Sequence, residues 1–235
     1  MVHSYTIVII PAYNEEKTIF GVVSSIKEEY PGCTVVVIDD GSSDETSKLA
    51  ARAGAIILSH PFNMGYGTAL QTGYKYAIRH DYRFLIQMDG DGQHDVRDIK
   101  VLLENLEGQS CDIALGSRFL GSINYKTSLY RYIGTIFFSC ILYLFSGKKI
   151  TDTTTGFQAM NQKVLKVFAR DLFPCDYPDA DVIILLSKLG MRIKEVPVRM
   201  YNKNEGKSMH ANPFKVSYYI FKMILSMCLT VLRKY

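Results

Sequence analysis

No Cys-x-x-Cys pair occurs in this 235-residue chain, and its five cysteines (Cys33, Cys111, Cys140, Cys175 and Cys228) are odd in number and scattered. That spacing indicates neither a disulfide framework nor a zinc site, and a reduced compartment suits it. No apolar run reaches the roughly 20 residues that a membrane span requires. The opening Met-Val-His-Ser has no basic segment and no cleavage site, so no signal peptide is expected. Linkers, repeats and low-complexity stretches are also missing. Charge of one sign is not abundant: the net charge of +4 is too small to argue for nucleic acid. It favours phosphate-bearing ligands or an anionic membrane surface, although an ordinary solvated surface accounts for it equally. With 48% hydrophobic and 21% charged residues, the chain is that of a globular protein able to bury a full core.

What is present is alternation. Tyr5 to Ile10 reads as a β-branched strand, and Glu15 to Glu29 repeats Ile19, Val22, Val23 and Ile26 at helical spacing. Thr34 to Ile38 is a second strand, and Asp44 to Ala53 a short helix that Ser42 or Ser43 would cap. Ala55 to Leu58, Gly65 to Arg79, Phe84 to Met88, Asp95 to Leu106 and Asp112 to Leu115 continue the pattern. Continuous Val/Ile strands separated by helices predict an α/β fold with a parallel sheet covered on both faces. Ligands of such sheets bind beyond the carboxyl ends of the strands. The acid-rich loops fall there: Pro11-Ala-Tyr-Asn-Glu15-Glu16, Asp39-Asp40-Gly-Ser-Ser-Asp44 and Asp89-Gly-Asp91. Past Gly116-Ser-Arg118 the pattern changes. Tyr132 to Phe145 is uncharged and aromatic-rich, while Val216 to Leu232 is interrupted by Lys222 and followed by Arg233-Lys234. Both read as apolar helices that dock on the domain or lie in a membrane interface. The expected organisation is one domain, residues 1–212, with a C-terminal apolar helix, 213–235.

The segment Phe84-Leu-Ile-Gln-Met-Asp89-Gly-Asp91-Gly-Gln93-His94 holds the most chemistry. An apolar strand empties into two carboxylates one residue apart. Glycines at 90 and 92 relax the backbone so that both can turn to one ion. Asp89, Asp91 and the Gln93 amide oxygen make a hard, all-oxygen set suited to Mg²⁺ or Mn²⁺, with positions left for substrate phosphates. Asp-Gly-Asp also forms ordinary turns, so the pair alone does not decide.

Five motifs in order decide more. Ile9-Ile-Pro-Ala-Tyr-Asn-Glu-Glu, Val37-Ile-Asp-Asp-Gly-Ser-Ser-Asp, Met88-Asp-Gly-Asp-Gly-Gln-His, Gly116-Ser-Arg and Thr155-Gly-Phe-Gln resemble the family 2 glycosyltransferases of the GT-A fold. Within that family the chain, from about Tyr5 to His210, is most similar to polyprenyl-phosphate sugar transferases of the dolichol-phosphate mannose synthase type. The resemblance implies a GT-A, Rossmann-like, mostly parallel sheet flanked by helices. It also implies a UDP- or GDP-sugar donor whose pyrophosphate is neutralised by a cation between Asp89, Asp91 and Gln93. Pro11, Ala12, Tyr13 and Glu15 would border the nucleoside, and Asp40 would contact base or ribose. Arg118 would meet phosphate with its planar fork, and Arg131 would lie near the acceptor phosphate. Lys207 and Ser208, following Lys203, would belong to a phosphate-contacting loop. Asp152 stands in the acceptor-side motif, for positioning or base work. Asp179 and Asp181 occupy the place of an acidic pair that serves hydroxyl-acceptor relatives as base. The chain departs from the common Asp-Pro-Thr-Ser-Gly-Phe-Arg at Thr153 and Gln158, which removes a phosphate-contacting Arg.

Plainer roles exist for several of these residues. Glu15, Glu16, Asp179 and Asp181 suit the first turns of helices, Arg131 suits an interface anchor, and a basic loop is commonly only solvated. The glycines of Asn63-Met-Gly65-Tyr-Gly67 lack the spacing and the first-strand position of a dinucleotide fingerprint. Phosphatases place their Asp-x-Asp after the first strand, and a nucleotidyltransferase would need a basic Gly-rich loop there. The expectation is therefore inverting, metal-dependent transfer of a hexose from a nucleotide-diphosphate sugar to a polyprenyl phosphate. The protein would sit peripherally on the cytoplasmic membrane face. An anionic phosphate acceptor needs no strong base, whereas a sugar hydroxyl does. The alternatives are a transferase with a sugar-hydroxyl acceptor in cell-surface polysaccharide synthesis and a silent nucleotide-sugar-binding membrane scaffold. The intact Asp89/Asp91/Arg118 set argues against the scaffold. A homo-oligomer or a small membrane-protein partner is left open.

Overall fold

The computed structural model describes residues 5–120, 129–170, 173–174, 178–201 and 213–233, without the side chains of 129–133, 213–217 and 219. The first half alternates as expected: β1 (Thr6–Ala12), α1 (Ile19–Glu29), β2 (Thr34–Asp39), α2 (Thr46–Arg52), β3 (Ile56–Ser59), α3 (Tyr66–Arg79), β4 (Phe84–Gln87), α4 (Ile99–Glu107) and β5 (Ile113–Ser117). Then follow α5 (Leu129–Ser146), β6 (Gln158–Asn161), α6 (Gln162–Phe168), α7 (Ala180–Lys188), β7 (Ile193–Pro197) and α8 (Pro213–Leu232). All seven strands join one sheet in the order β3-β2-β1-β4-β6-β5-β7.

Strand alternation divides the core into two layers. Ile7, Ile9, Val36, Ile38 and Leu85 face one layer, shared with α3, α5, α6, α7 and α8. Val8, Ile10, Val35, Val37 and Ile86 face the other, shared with α1 and α4. Apolar residues on both faces are what a sheet buried between helix layers demands.

One sequence expectation holds and one needs correction. The sheet is mostly parallel, with β6 running antiparallel to both β4 and β5, between which it is inserted. Its four residues carry little pattern of their own. The insertion nevertheless sets the site, because Gln158 pairs with Gln87 and so places the preceding 153–157 turn beside the carboxyl end of β4. Neither Ser42 nor Ser43 caps α2; the Asp44 carboxylate accepts from Thr46 N at 3.0 Å. The two serines instead bind Asn14 on the neighbouring loop.

The two apolar helices present apolar residues both inward and outward. Phe138 and Leu142 of α5 and Met223 and Met227 of α8 are buried in the first core layer. Tyr218, Phe221, Leu225, Leu229 and Leu232 form an exposed stripe along α8, and Ile136, Phe137, Tyr143 and Leu144 are exposed on α5. No helix among the described residues is long and apolar enough to cross a membrane. Helix α8 is tied down by polar contacts as well. Ser226 donates to Asp181, and Lys188 Nζ donates to the carbonyls of Thr230, Val231 and Arg233. The four described cysteines are free; burial pushes the Cys33 thiol up to about 12.

Candidate active site

The loops after β1 and β2 are laced together. Asn14 N donates to Ser42 Oγ at 2.9 Å, Ser43 N to Asn14 Oδ1 at 2.9 Å, Glu15 N to Thr46 Oγ1 at 2.8 Å and Glu16 N to Asp44 Oδ2 at 3.2 Å. Asn14 sits at φ 56°, a left-handed conformation that Asn tolerates. Pro11 and Ala12 lie buried within β1, and Ala12 O accepts from Asp40 N. Tyr13 is 48% exposed, and Asn14 and Glu16 of this motif are exposed with it. Thr18 Oγ1 donates to Gly90 O at 2.7 Å, joining the first loop to the loop after β4.

Asp40 is buried and heavily engaged. Its Oδ1 accepts from His60 Nδ1 at 2.7 Å and Met64 N at 2.9 Å, and its Oδ2 from Gly65 N at 2.9 Å. It therefore holds the loop that leads into α3. At Gly41 (φ +72°) a Cβ would lie 2.5 Å from the Phe62 carbonyl carbon, so the two loops meet backbone to backbone only because that residue is glycine. Any hydrogen bond from a base or ribose would use what acceptor capacity Asp40 has left.

Asp89 stands at the carboxyl end of β4, half-buried, between two donors. Tyr66 Oη donates to its Oδ1 at 2.8 Å, and His94 Nε2 lies 3.3 Å from its Oδ2. A carboxylate only accepts, so Nε2 is the donor, and among the described residues the buried Nδ1 has no hydrogen-bond partner. Burial alone would raise the Asp89 carboxyl; the His94 and Tyr66 bonds and the charge of Arg118 more than offset it and hold it below its ordinary range. Gly156 forms the wall, since a Cβ there would fall 2.3 Å from Asp89 Oδ2. Among the described residues no group of three or more His, Cys, Asp or Glu is arranged to hold a metal. A cation would thus depend on Asp89, Asp91 and substrate oxygens, the way Mg²⁺ is usually shared with phosphates.

Gln93 does more than was expected of it. Its Nε2 donates to Tyr201 O at 2.9 Å while its carbonyl accepts from Tyr201 N at 2.7 Å, which leaves only Oε1 for a cation. His94 forms a bridge with Met200, and Asp95 gathers Arg97, Arg199 and the Tyr201 hydroxyl. The loop after β4 is thereby sewn to the segment after β7. Lys203, Lys207 and Ser208 lie outside the described residues, as does the side chain of Arg131.

Arg118 follows β5 and faces Asp152. The guanidinium donates to both carboxylate oxygens, at 2.7 and 2.6 Å, and to Thr154 Oγ1 at 3.0 Å. Glu195 of β7 supports this turn, accepting from Thr151 N and Asp152 N at 2.8 Å each. Burial, with Asp152 nearby, raises the Glu195 carboxyl. Asp152 thus has the geometry of a positioning group rather than of a free base. Gln158 Nε2 donates to Thr155 O at 2.8 Å and so is turned onto its own loop. Asp181 lies apart, buried at the start of α7 and facing Ser226 of α8.

Three participants were not anticipated. Tyr66 lies in the Asn63-Met-Gly65-Tyr-Gly67 run that was set aside, and Glu195 has no local signal at all. His94 closes the Asp-Gly-Asp-Gly-Gln-His motif and was the one most open to discovery.

The fold is GT-A, and the chain matches the family described as Glycosyl transferase family 2 over residues 7–168. It belongs to that family and is a glycosyltransferase. An uncharacterized protein of Methanocaldococcus jannaschii is 34% identical over 221 residues, covering 93% of this chain and 90% of that protein. A UDP-N-acetylglucosamine–dolichyl-phosphate N-acetylglucosaminyltransferase of Methanococcus voltae is 30% identical over 81% of this chain and 83% of its own length. The structure of Mycobacterium tuberculosis glucosyl-3-phosphoglycerate synthase in complex with Mn²⁺ and UDP-glucose superposes with a TM-score of 0.71. It is 19% identical and covers 96% of this chain and 78% of that one, a likeness of fold.

Proposed function

We propose that this glycosyltransferase moves a hexose, with inversion, from a UDP- or GDP-sugar to a polyprenyl phosphate at the cytoplasmic face of a membrane. The observation that carries the reading is the pairing of Arg118 with Asp152 beside Asp89. It supplies a cation and a metal-side carboxylate at one sheet edge and leaves the nearest candidate base occupied. A phosphate acceptor is already nucleophilic, so an Asp152 occupied by Arg118 suits it. Bound between Asp89, Asp91 and the donor pyrophosphate, Mg²⁺ or Mn²⁺ would act as a Lewis acid on the leaving group. The Methanococcus voltae relative, named for a UDP-sugar and a dolichyl phosphate and similar along most of both chains, supports donor and acceptor class alike. The outward apolar residues of α5 and α8 suit an interfacial position.

A second reading, transfer to a sugar hydroxyl, is favoured by Gln158, whose amide is spent on Thr155 where relatives commonly place a phosphate-binding Arg. The test is to incubate the purified protein with radiolabelled UDP-GlcNAc, UDP-glucose or GDP-mannose and either polyprenyl phosphate in detergent or a soluble sugar. Label entering the organic phase only with the lipid phosphate and Mn²⁺ or Mg²⁺ is the expected result. Label on the soluble sugar would replace the first reading with the second.

A further inference from the structure

Asp89 is connected to the core by a directed chain of hydrogen bonds. Because the carboxylate can only accept, the Tyr66 hydroxyl spends its proton on Asp89 Oδ1. Tyr66 Oη then accepts from Gln87 Nε2, 3.3 Å away. That orientation turns Gln87 Oε1 inward, where the Tyr74 hydroxyl donates to it. Tyr74 is 1% exposed and packed against the rings of Phe168 and Phe173. No group in this series can reverse without breaking a bond at the next. The Tyr66 backbone is held too, since Asp40 accepts from the N–H groups of Met64 and Gly65 directly before it. His94 meets the other carboxylate oxygen.

We propose that Tyr66 is a positioning residue for Asp89: its phenol, oriented through Gln87 from Tyr74, holds the carboxylate in one orientation before a divalent cation and a nucleotide diphosphate arrive. The proposal rests on the metal-dependent reading above. Without the phenol, only the longer His94 contact at 3.3 Å, among the described residues, would order this carboxylate before the cation binds. Partners just outside a metal's ligands supply such order, and their loss commonly costs about 10- to 100-fold in metal affinity.

The test measures Mn²⁺ affinity in the presence of UDP, from the loss of the free-ion electron paramagnetic resonance signal, alongside thermal unfolding. Tyr66→Phe is expected to weaken Mn²⁺ binding by about tenfold or more, to alter the spectrum of the bound ion, and to leave the melting temperature nearly unchanged. The pair Tyr74→Phe with Gln87→Leu keeps the phenol but removes its orientation, and is expected to weaken binding in the same sense. Unchanged Mn²⁺ affinity in whichever of these variants folds, even with a lowered melting temperature, would overturn the positioning role. If the wild type binds no Mn²⁺ with UDP and Asp91→Asn makes no difference, the metal-dependent reading itself fails, and the proposal with it.

Discussion

Arg118 closes on Asp152 with both ends of its fork while its backbone N–H donates to the same carboxylate at 3.1 Å. The Asp152 side chain is 0% exposed and that of Arg118 15%. Breaking a buried pair by neutralising one partner costs about 3–5 kcal/mol, because the other charge is left uncompensated. Asp152→Asn is therefore expected to lose stability toward the lower end of that range and to lower kcat/KM, both read from urea unfolding and steady-state kinetics. Activity lost with stability untouched would instead point to Asp152 as a base.

Metal dependence is the simplest expectation. EDTA should abolish transfer, and Asp91→Ala should lose activity by orders of magnitude while its circular dichroism and melting temperature stay native, since the residue sits on a loop. Full activity in either condition would sink the metal assignment.

Asp40 should matter twice. Asp40→Ala leaves the N–H groups of Met64 and Gly65 and the His60 ring without their acceptor. A fully buried group left unsatisfied costs about 1–3 kcal/mol; these bonds are part-buried, so the melting temperature should fall by less than three such losses. The donor KM should rise with it, because the loop loosens and because the carboxylate proposed to contact base or ribose is gone. A raised KM with unchanged stability would make Asp40 a ligand contact only.

Stability should depend on pH through Asp181. Burial raises its carboxyl above the ordinary range in the folded state, against the hydrogen bonds from Ser226 and the neighbouring backbone. The folded form thus prefers the protonated acid. This contribution is fully favourable below the unfolded value of about 3.9 and is lost as pH rises through the higher folded value. Asp181→Asn keeps an acceptor for Ser226 and has no charge to bury. It should exceed the wild type in urea midpoint at pH 8, with the difference shrinking toward pH 4.5. A constant difference across that range would rule Asp181 out as the source.

Membrane binding should follow the outward stripe of α8. The protein is expected to pellet with anionic vesicles at low salt and to be partly released at high salt, because screening weakens only the charged component. Deleting the helix is a poor test, since Met223 and Met227 belong to the core. Phe221→Ser with Leu225→Ser, both exposed, should weaken sedimentation while leaving nucleotide-sugar binding intact. Sedimentation equal to wild type would place the contact elsewhere.

The alternation of strands and helices, the three acid loops at one sheet edge and the two apolar helices were all legible in the sequence. Each follows from local periodicity or from where a loop must fall once its strand is known. The antiparallel entry of β6 was not, because strand order depends on which neighbour completes a ladder, and Gln158–Asn161 has no pattern that names one. Gln93 shows the same limit from the side of the site. The sequence placed its amide among the metal's oxygens, yet its nitrogen is taken by Tyr201, 108 residues away. Asp152 was open to positioning or base work in its motif and is enclosed by Arg118, 34 residues before it. Tyr66 reaches Asp89 across 23 residues because α3 packs on β1, the strand that pairs with β4. A sequence can state which groups are able to bind, but their partners are chosen by the packing that brings distant segments within three ångströms.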